Sequence, residues 1–138
     1  MEHNVLVDSD FLIALYSEHD TNHRKAHRLL EILSQNETAT LSLSIFVYSE
    51  TLTVLAQRVS QKTAHFFMDD IREQGIEIIM DIHEVFEEAE NIFRSQRSKN
   101  VSFVDAVNIA LMRNNHFDAL LSFDHDYRKN RIKLYSGN

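Results

Sequence analysis

The chain has 138 residues, 43% hydrophobic and 25% charged, ordinary values for a sequence that buries one core unaided. It has no cysteine, which excludes a disulfide framework, a thiolate zinc site and a cysteine nucleophile. The net charge of −7 disfavours a broad polyanion-binding surface. No apolar run reaches membrane-spanning length, and MEHNVLVDSD lacks a signal peptide's basic start, so a soluble cytoplasmic protein with no membrane partner is expected.

Two glycines and no prolines leave little punctuation, so helices with short connections are expected throughout a single domain over residues 1–138. Asn4-Val5-Leu6-Val7 is a short apolar run that stops at Asp8, as a buried parallel strand does. A short helix carrying Phe11, Leu12, Leu15 and Tyr16 follows. Asp20-Thr21-Asn22 supplies a start signal for a helix to about Ser34, with Ala26, Leu29, Leu30 and Leu33 inward. Residues 38–42 alternate as a second strand. A helix from Ile45 to Arg58 is expected to turn Phe46, Leu52, Val54 and Leu55 inward, and Ser60 caps another to about Glu73.

Gly75 ends that helix and Ile76–Ile79 reads as a third strand. Glu84 to Arg97 is helical by spacing, with Val85, Phe86, Ala89, Ile92 and Phe93 on one face, and Ser102 to Asn114 is helical again. Ala119–Ser122 is a fourth strand and Ile132–Tyr135 a fifth. Strands alternating with helices predict an α/β fold: a central, mostly parallel sheet of four or five short strands covered by helices on both faces.

The acids carry the chemistry. Ligands of open α/β sheets bind at the carboxyl ends of the strands. Asp8 lies immediately after the first strand and Asp124 two residues after the fourth. Asp105 lies in the first turn of the helix leading into that strand, and Glu50 about two turns into the helix after the second. Asp10 and Asp126 add carboxylates two residues beyond Asp8 and Asp124. Converging carboxylates repel by about 4 kcal/mol at ~4 Å in an effective dielectric near 20. Either one of them holds a proton or a hard divalent cation removes the conflict. Each acid also has a plainer role open to it. Ser102-Phe103-Val104-Asp105 fits a capping box, Asp124 and Asp126 sit where a helix start is expected, and Glu50 alone reads as a surface residue.

Taken together, four stretches resemble PIN domains, most closely the VapC-type toxins of toxin–antitoxin pairs: Val5–Leu15, Ser49–Leu52, Ser102–Ala106 and Leu120–Asp124. The resemblance implies a metal-dependent endoribonuclease with a Mg²⁺ or Mn²⁺ site at Asp8, Glu50, Asp105 and Asp124, supported by Ser122. It also implies an RNA substrate, metal-activated water as nucleophile, a cognate antitoxin and a homodimer. Asp10 stands where the family often has Ser or Asn, so Asp10 and Asp126 rank as auxiliary. Phe46, Val47, Phe66, Phe67 and Met68 are the apolar residues offered for dimerisation.

Other readings stay open. A PIN-like binding module would use the acids only as caps. Asp8-Ser9-Asp10 also looks like the opening of haloacid-dehalogenase-type phosphatases, with Asp8 as nucleophile, although Glu50 and Asp105 then go unexplained. His19, His23 and His27 are spaced by four, as zinc ligands on one helix can be, but packed helix histidines are the commoner outcome. Asp124-His125-Asp126 lacks the glycine and downstream ligands of a calcium loop. Local basic clusters stand at Arg94, Arg97 and Lys99 and at Arg128, Lys129, Arg131 and Lys133.

Overall fold

The computed structural model describes residues 3–114 and 117–137. The chain runs β1 (Asn4–Val7), α1 (Ser9–Tyr16), α2 (His23–Ser34), β2 (Thr40–Ser44), α3 (Ile45–Arg58) and α4 (Gln61–Glu73). It continues with β3 (Glu77–Ile79), α5 (His83–Ser95), α6 (Phe103–Asn114), β4 (Ala119–Leu121) and a 3-10 helix (His125–Asn130). The four strands pair in parallel in the order β3-β2-β1-β4. None of the described helices is long and apolar enough to cross a membrane.

The central position of β1 follows from its composition. A strand buried on both faces must be apolar at every position, and Val5, Leu6 and Val7 are all fully or almost fully buried. Their alternation splits the core in two. Val5 and Val7, with Leu43 and Leu121, join the cluster covered by α1 to α4; Leu6 and Leu120 join the one covered by α5 and α6. The expected arrangement of helices on both faces is therefore present.

Helix boundaries are set by caps. The hydroxyl of Ser44 accepts the Val47 N–H at 3.1 Å and that of Ser60 accepts the Thr63 N–H at 3.0 Å, which starts α3 and α4 where the sequence places them. Gly75, at φ 68°, closes α4 in the left-handed conformation a glycine adopts without strain. At α2 the side chain of Asn22 makes no cap; its backbone N–H is instead held by Asp20 at 2.8 Å.

Four expectations change. The second strand lies two residues later than the alternation suggested. Ile132–Tyr135 is not a strand but a single parallel bridge, Leu120 to Leu134, with Ile132 buried and Leu134 packed against the second cluster. In α3 the buried residues are Val47, Thr51 and Leu55, while Phe46, Leu52 and Val54 are half-buried. In α5, Val85, Ala89 and Ile92 pack inward, but Phe86 and Phe93 remain exposed.

Ser44 is fully buried and opens the helix that carries Glu50. Replacing it with alanine is expected to cost about 1 kcal/mol and to lower the melting temperature by about 4 °C, read by thermal circular dichroism.

Candidate active site

The parallel register of β1 against β4 places Val7 beside Leu121, so the residues just past both strand ends become neighbours. Asp8 donates its backbone N–H to the Leu121 carbonyl at 2.9 Å, which extends the ladder by one bond beyond the strand. At this point β1 turns into α1, and Asp8 is the N-cap: its Oδ1 accepts the Ser9 N–H at 2.8 Å.

Asp8 is buried, an environment that an ionised carboxylate leaves water to enter only with compensating donors. Three are present. Oδ1 takes a second hydrogen bond from Asn108 Nδ2 at 3.1 Å, and Oδ2 takes one from Ser122 Oγ at 2.9 Å. A carboxylate offers about four acceptor positions, so these three donors leave room for one more partner.

The same serine organises the neighbouring acids. Ser122 Oγ lies 3.2 and 3.3 Å from the two carboxylate oxygens of Asp10 and accepts the Asp124 N–H at 3.1 Å. Asp10 is fixed further by the Phe123 N–H at 3.0 Å. Asp124 caps the 3-10 helix through the Asp126 N–H at 2.9 Å.

Asp105 closes the ring from α6. It does form the capping box, accepting the Ser102 N–H at 2.9 Å while Ser102 Oγ accepts the Asp105 N–H at 3.1 Å. Its other oxygen accepts the Tyr127 hydroxyl at 2.8 Å, and Asn108 Nδ2 donates to that same hydroxyl at 3.1 Å. Asp105 and Asp8 are thus joined through Tyr127 and Asn108. Capping and site membership coexist in one residue.

Electrostatics report the crowding. Burial pushes the Asp8 carboxyl up to about 8, and the charges of Asp10 and Asp105 push in the same direction against the pull of Ser122 and Ser9. Asp10 is pushed up to about 6, by burial first and with Asp124 adding to it, opposed by the Phe123 amide and Ser122. The Tyr127 phenol is pushed up by burial and then by Asp8 and Asp105, so it stays a donor. Among the described residues, none of Asp8, Asp10, Glu50, Asp105 and Asp124 forms an ion pair.

The other sequence-predicted residues stand further out. Glu50 is exposed on α3 and reaches the cluster through Ser9, whose Oγ donates to Glu50 Oε2 at 2.5 Å. Asp126 pairs with Lys129 at 3.2 Å. Among the described residues no three or more His, Asp or Glu side chains have their donor atoms gathered into a metal-ligand set. The donor chemistry nonetheless fits a hard cation, since the neighbouring carboxylates add to the raised proton affinity of buried Asp8 and half-buried Asp10, and among the described residues no cationic side chain is paired to them. Asn108 Oδ1 is also buried with no hydrogen-bond partner among the described residues. The histidines take the plainer role: His23 Nδ1 meets the Ala14 carbonyl at 2.7 Å and His27 Nε2 the Leu15 carbonyl at 3.1 Å.

Three participants escaped the sequence reading: Ser9, Asn108 and Tyr127. A polar residue inside Ala106-Val107-Asn108-Ile109-Ala110, on a helix face otherwise apolar, was the available signal for Asn108. Tyr127 carried none, because its role depends on where the 3-10 helix lands.

The PIN domain family model matches residues 5–133. The chain belongs to the PIN domain family. Among solved structures, this PIN domain is similar to the Mycobacterium tuberculosis toxin VapC20, described as cleaving the sarcin–ricin loop, at 24% identity over 93% of this chain and 95% of that one, with a TM-score of 0.82. It is similar to VapBC2 of Rickettsia felis, bound to a DNA fragment from its promoter, at 15% identity over 94% and 92% of the two chains, TM-score 0.64. It is also similar to FitAcB of Neisseria gonorrhoeae at 10% identity over 96% and 97%, TM-score 0.63. These likenesses establish the fold. No curated protein sequence matches the chain. The phosphatase alternative has no counterpart in these matches.

Two outcomes follow for the metal-free PIN domain. Tyr127→Phe removes the hydroxyl between Asn108 and Asp105 and is expected to cost about 1–2 kcal/mol in urea denaturation. The pH dependence has a definite sign. A carboxyl whose folded pKa lies above its unfolded value stabilises the fold most below the unfolded value and loses that contribution as pH rises through the folded one. With Asp8 pushed from 3.8 to about 8 and Asp10 to about 6, melting temperature is expected to fall as pH rises from about 4 to about 8. Asp8→Asn should flatten most of that slope.

Proposed function

We propose that this PIN domain is a Mg²⁺- or Mn²⁺-dependent endoribonuclease acting as the toxin of a toxin–antitoxin pair. The observation that carries the reading is the hydrogen-bond network through which Ser122, Asn108 and Tyr127 link Asp8, Asp10, Asp105 and Asp124 just past the carboxyl ends of β1 and β4. A hard divalent cation bound there would polarise a phosphodiester and lower the pKa of a bound water.

The residues divide the work. Asp8, Asp105 and Asp124 would hold the cation directly or through water, with Ser122 and Asn108 keeping Asp8 in one rotamer. Tyr127 would keep Asp105 turned towards Asp8. Glu50, exposed and, among the described residues, tied only to Ser9, would bind at the rim or orient the attacking water. Asp10 would add negative charge through its shared contact with Ser122. Asp126, paired with Lys129, would serve as part of the turn.

A cognate antitoxin is the proposed partner. An open groove among α1, α2 and α4, about 1620 Å³ and bordered by Leu12, Leu15, Tyr16, Leu30 and Phe66, supports a protein partner of apolar character. For a homodimer, the surface available from the residues named earlier is Phe66 and Met68, because Val47 and Phe67 lie in the core and Phe46 is half-buried against the second cluster.

The test is cleavage of a mixed RNA pool by partner-free protein, with wild type and Asp8→Asn run with and without EDTA. Cleavage that requires Mg²⁺ or Mn²⁺ and drops to background in the folded Asp8→Asn protein is expected. No cleavage and no metal binding by folded wild type would overturn the nuclease reading in favour of a binding module. Sedimentation of a monodisperse monomer would remove the homodimer.

A further inference from the structure

Phe86 and Phe93 are 44% and 47% exposed on a helix whose remaining large apolar residues, Val85 and Ile92, are buried. They are seven residues apart, two helical turns, and so share one stripe of α5. Phe103 meets both, with ring centroids 6.0 Å from Phe86 and 5.9 Å from Phe93 in edge-to-face geometry, and it also meets Phe46 at 6.5 Å. The stripe is thereby braced from α6, two residues before Asp105, and from α3, one helical turn before Glu50.

The charges along the same helix are sorted. Glu84, Glu87 and Glu90 are exposed along its first three turns, and Glu90 stands on the stripe between the two rings. Arg94 and Arg97 are exposed in its last turn and just beyond it. Half-buried Glu88 is occupied otherwise, accepting from the Asn114 amide. Among the described residues none of the three exposed acids and neither arginine forms an ion pair, although Glu90 and Arg94 stand four apart, where pairing within one helix is possible. The helix macrodipole favours this order of charges whatever lies outside. It gives no reason for Phe86 and Phe93 to be left in water, nor for a carboxylate to stand between them.

The two features together limit the partner. The acids disfavour a nucleic-acid strand. An apolar segment laid along the stripe would bury Glu90 with no counter-charge. A second α5 running antiparallel meets both conditions. With a two-fold axis crossing the helix between Glu90 and Arg94, each residue before the axis faces one after it on the other copy. Glu90 then opposes the second copy's Arg94, Glu87 comes within reach of its Arg97, and the two Phe93 rings lie close to the axis. A parallel pairing would instead set acid against acid.

We infer that α5 is a self-association face: Phe86 and Phe93 pack across a two-fold axis, and Glu87 and Glu90 of each copy pair with Arg94 and Arg97 of the other. The inference rests on the homodimer reading above and assigns its face, leaving Phe66 to the groove proposed for the antitoxin.

The test is sedimentation equilibrium of the full chain at micromolar concentration, with circular dichroism establishing that each variant is folded. Wild type is expected to be a dimer that dissociates more readily as salt rises. Glu87→Arg/Glu90→Arg makes the pairing positions all cationic and Arg94→Glu/Arg97→Glu makes them all acidic; each is expected to weaken self-association about tenfold or more. Mixed in equal amounts, these two variants are expected to form a heterodimer, because each supplies the charge the other lacks. The exchange of all four, Glu87→Arg/Glu90→Arg/Arg94→Glu/Arg97→Glu, keeps the net charge and is expected to restore the homodimer. Phe86→Ser/Phe93→Ser is expected to weaken the dimer about tenfold or more.

A dimer that survives both charge reversals and the serine pair overturns the α5 face and leaves the homodimer, which Phe66→Ser/Met68→Ser would then dissociate. Reversals that separate the dimer but do not recombine on mixing overturn the antiparallel charge pairing. A monomeric wild type removes the face and the homodimer together.

Discussion

A carboxylate buried at the end of the central strand is the constraint around which the rest of this PIN domain is arranged. Asp8 sits where β1 becomes α1, and its backbone completes the ladder to β4 while its side chain starts the helix. An acid in that place is tolerated only if donors reach it from several directions. The donors come from the next residue, from α6 and from the end of β4, which obliges three separate parts of the chain to meet at one point. The packing of α6 against the second core and the pairing of β4 with β1 are therefore conditions of the site as much as of the fold.

The polar groups behind the acids show how that constraint is met. Asn108 is fully buried in a stretch of α6 that is buried all round and otherwise made of Ala106, Val107, Ile109, Ala110 and Leu111. A lone amide there would be a liability, but it is converted into a positioning device by serving Asp8 and Tyr127 with the same nitrogen. Ser122 does the corresponding task on the other side, touching Asp8, Asp10 and the Asp124 amide with one hydroxyl. Two small polar side chains thus fix the orientation of an entire set of acids.

What could be read from sequence was local. The β1 run ending in Asp8, the bounds of α3 between Ser44 and Arg58, and the stop at Gly75 all follow from short-range physics: apolar continuity, a hydroxyl cap, a left-handed residue. The positions of Asp105 and Asp124 were legible for the same reason, through their relation to strand and helix ends. What was not legible depends on residues far apart. Asn108 meets Asp8 across 100 positions, and Tyr127 meets Asp105 only because the 3-10 helix folds back over α6. Periodicity also misjudged α5: Phe86 and Phe93 fit an inward face by spacing, yet the cover that would bury them is not supplied by the described residues. The run Ile132–Tyr135 has the composition of a strand but satisfies its apolar side chains by packing, with one bridge in place of a ladder.

The parallel pairing of β1 with β4 has a temporal side. Residues 4–7 are made well before residues 119–121, and the chain between them must be looped out before the two can register. A protein emerging from its N-terminus carries Asp8 early but has neither Ser122 nor Asn108 to hold it. Asp8, Asp105 and Asp124 lie on separate segments of the sequence, brought together only by the long-range contacts of the finished fold. The hydrogen bonds that hold Asp8 therefore cannot all form until α6 and the end of β4 have been made.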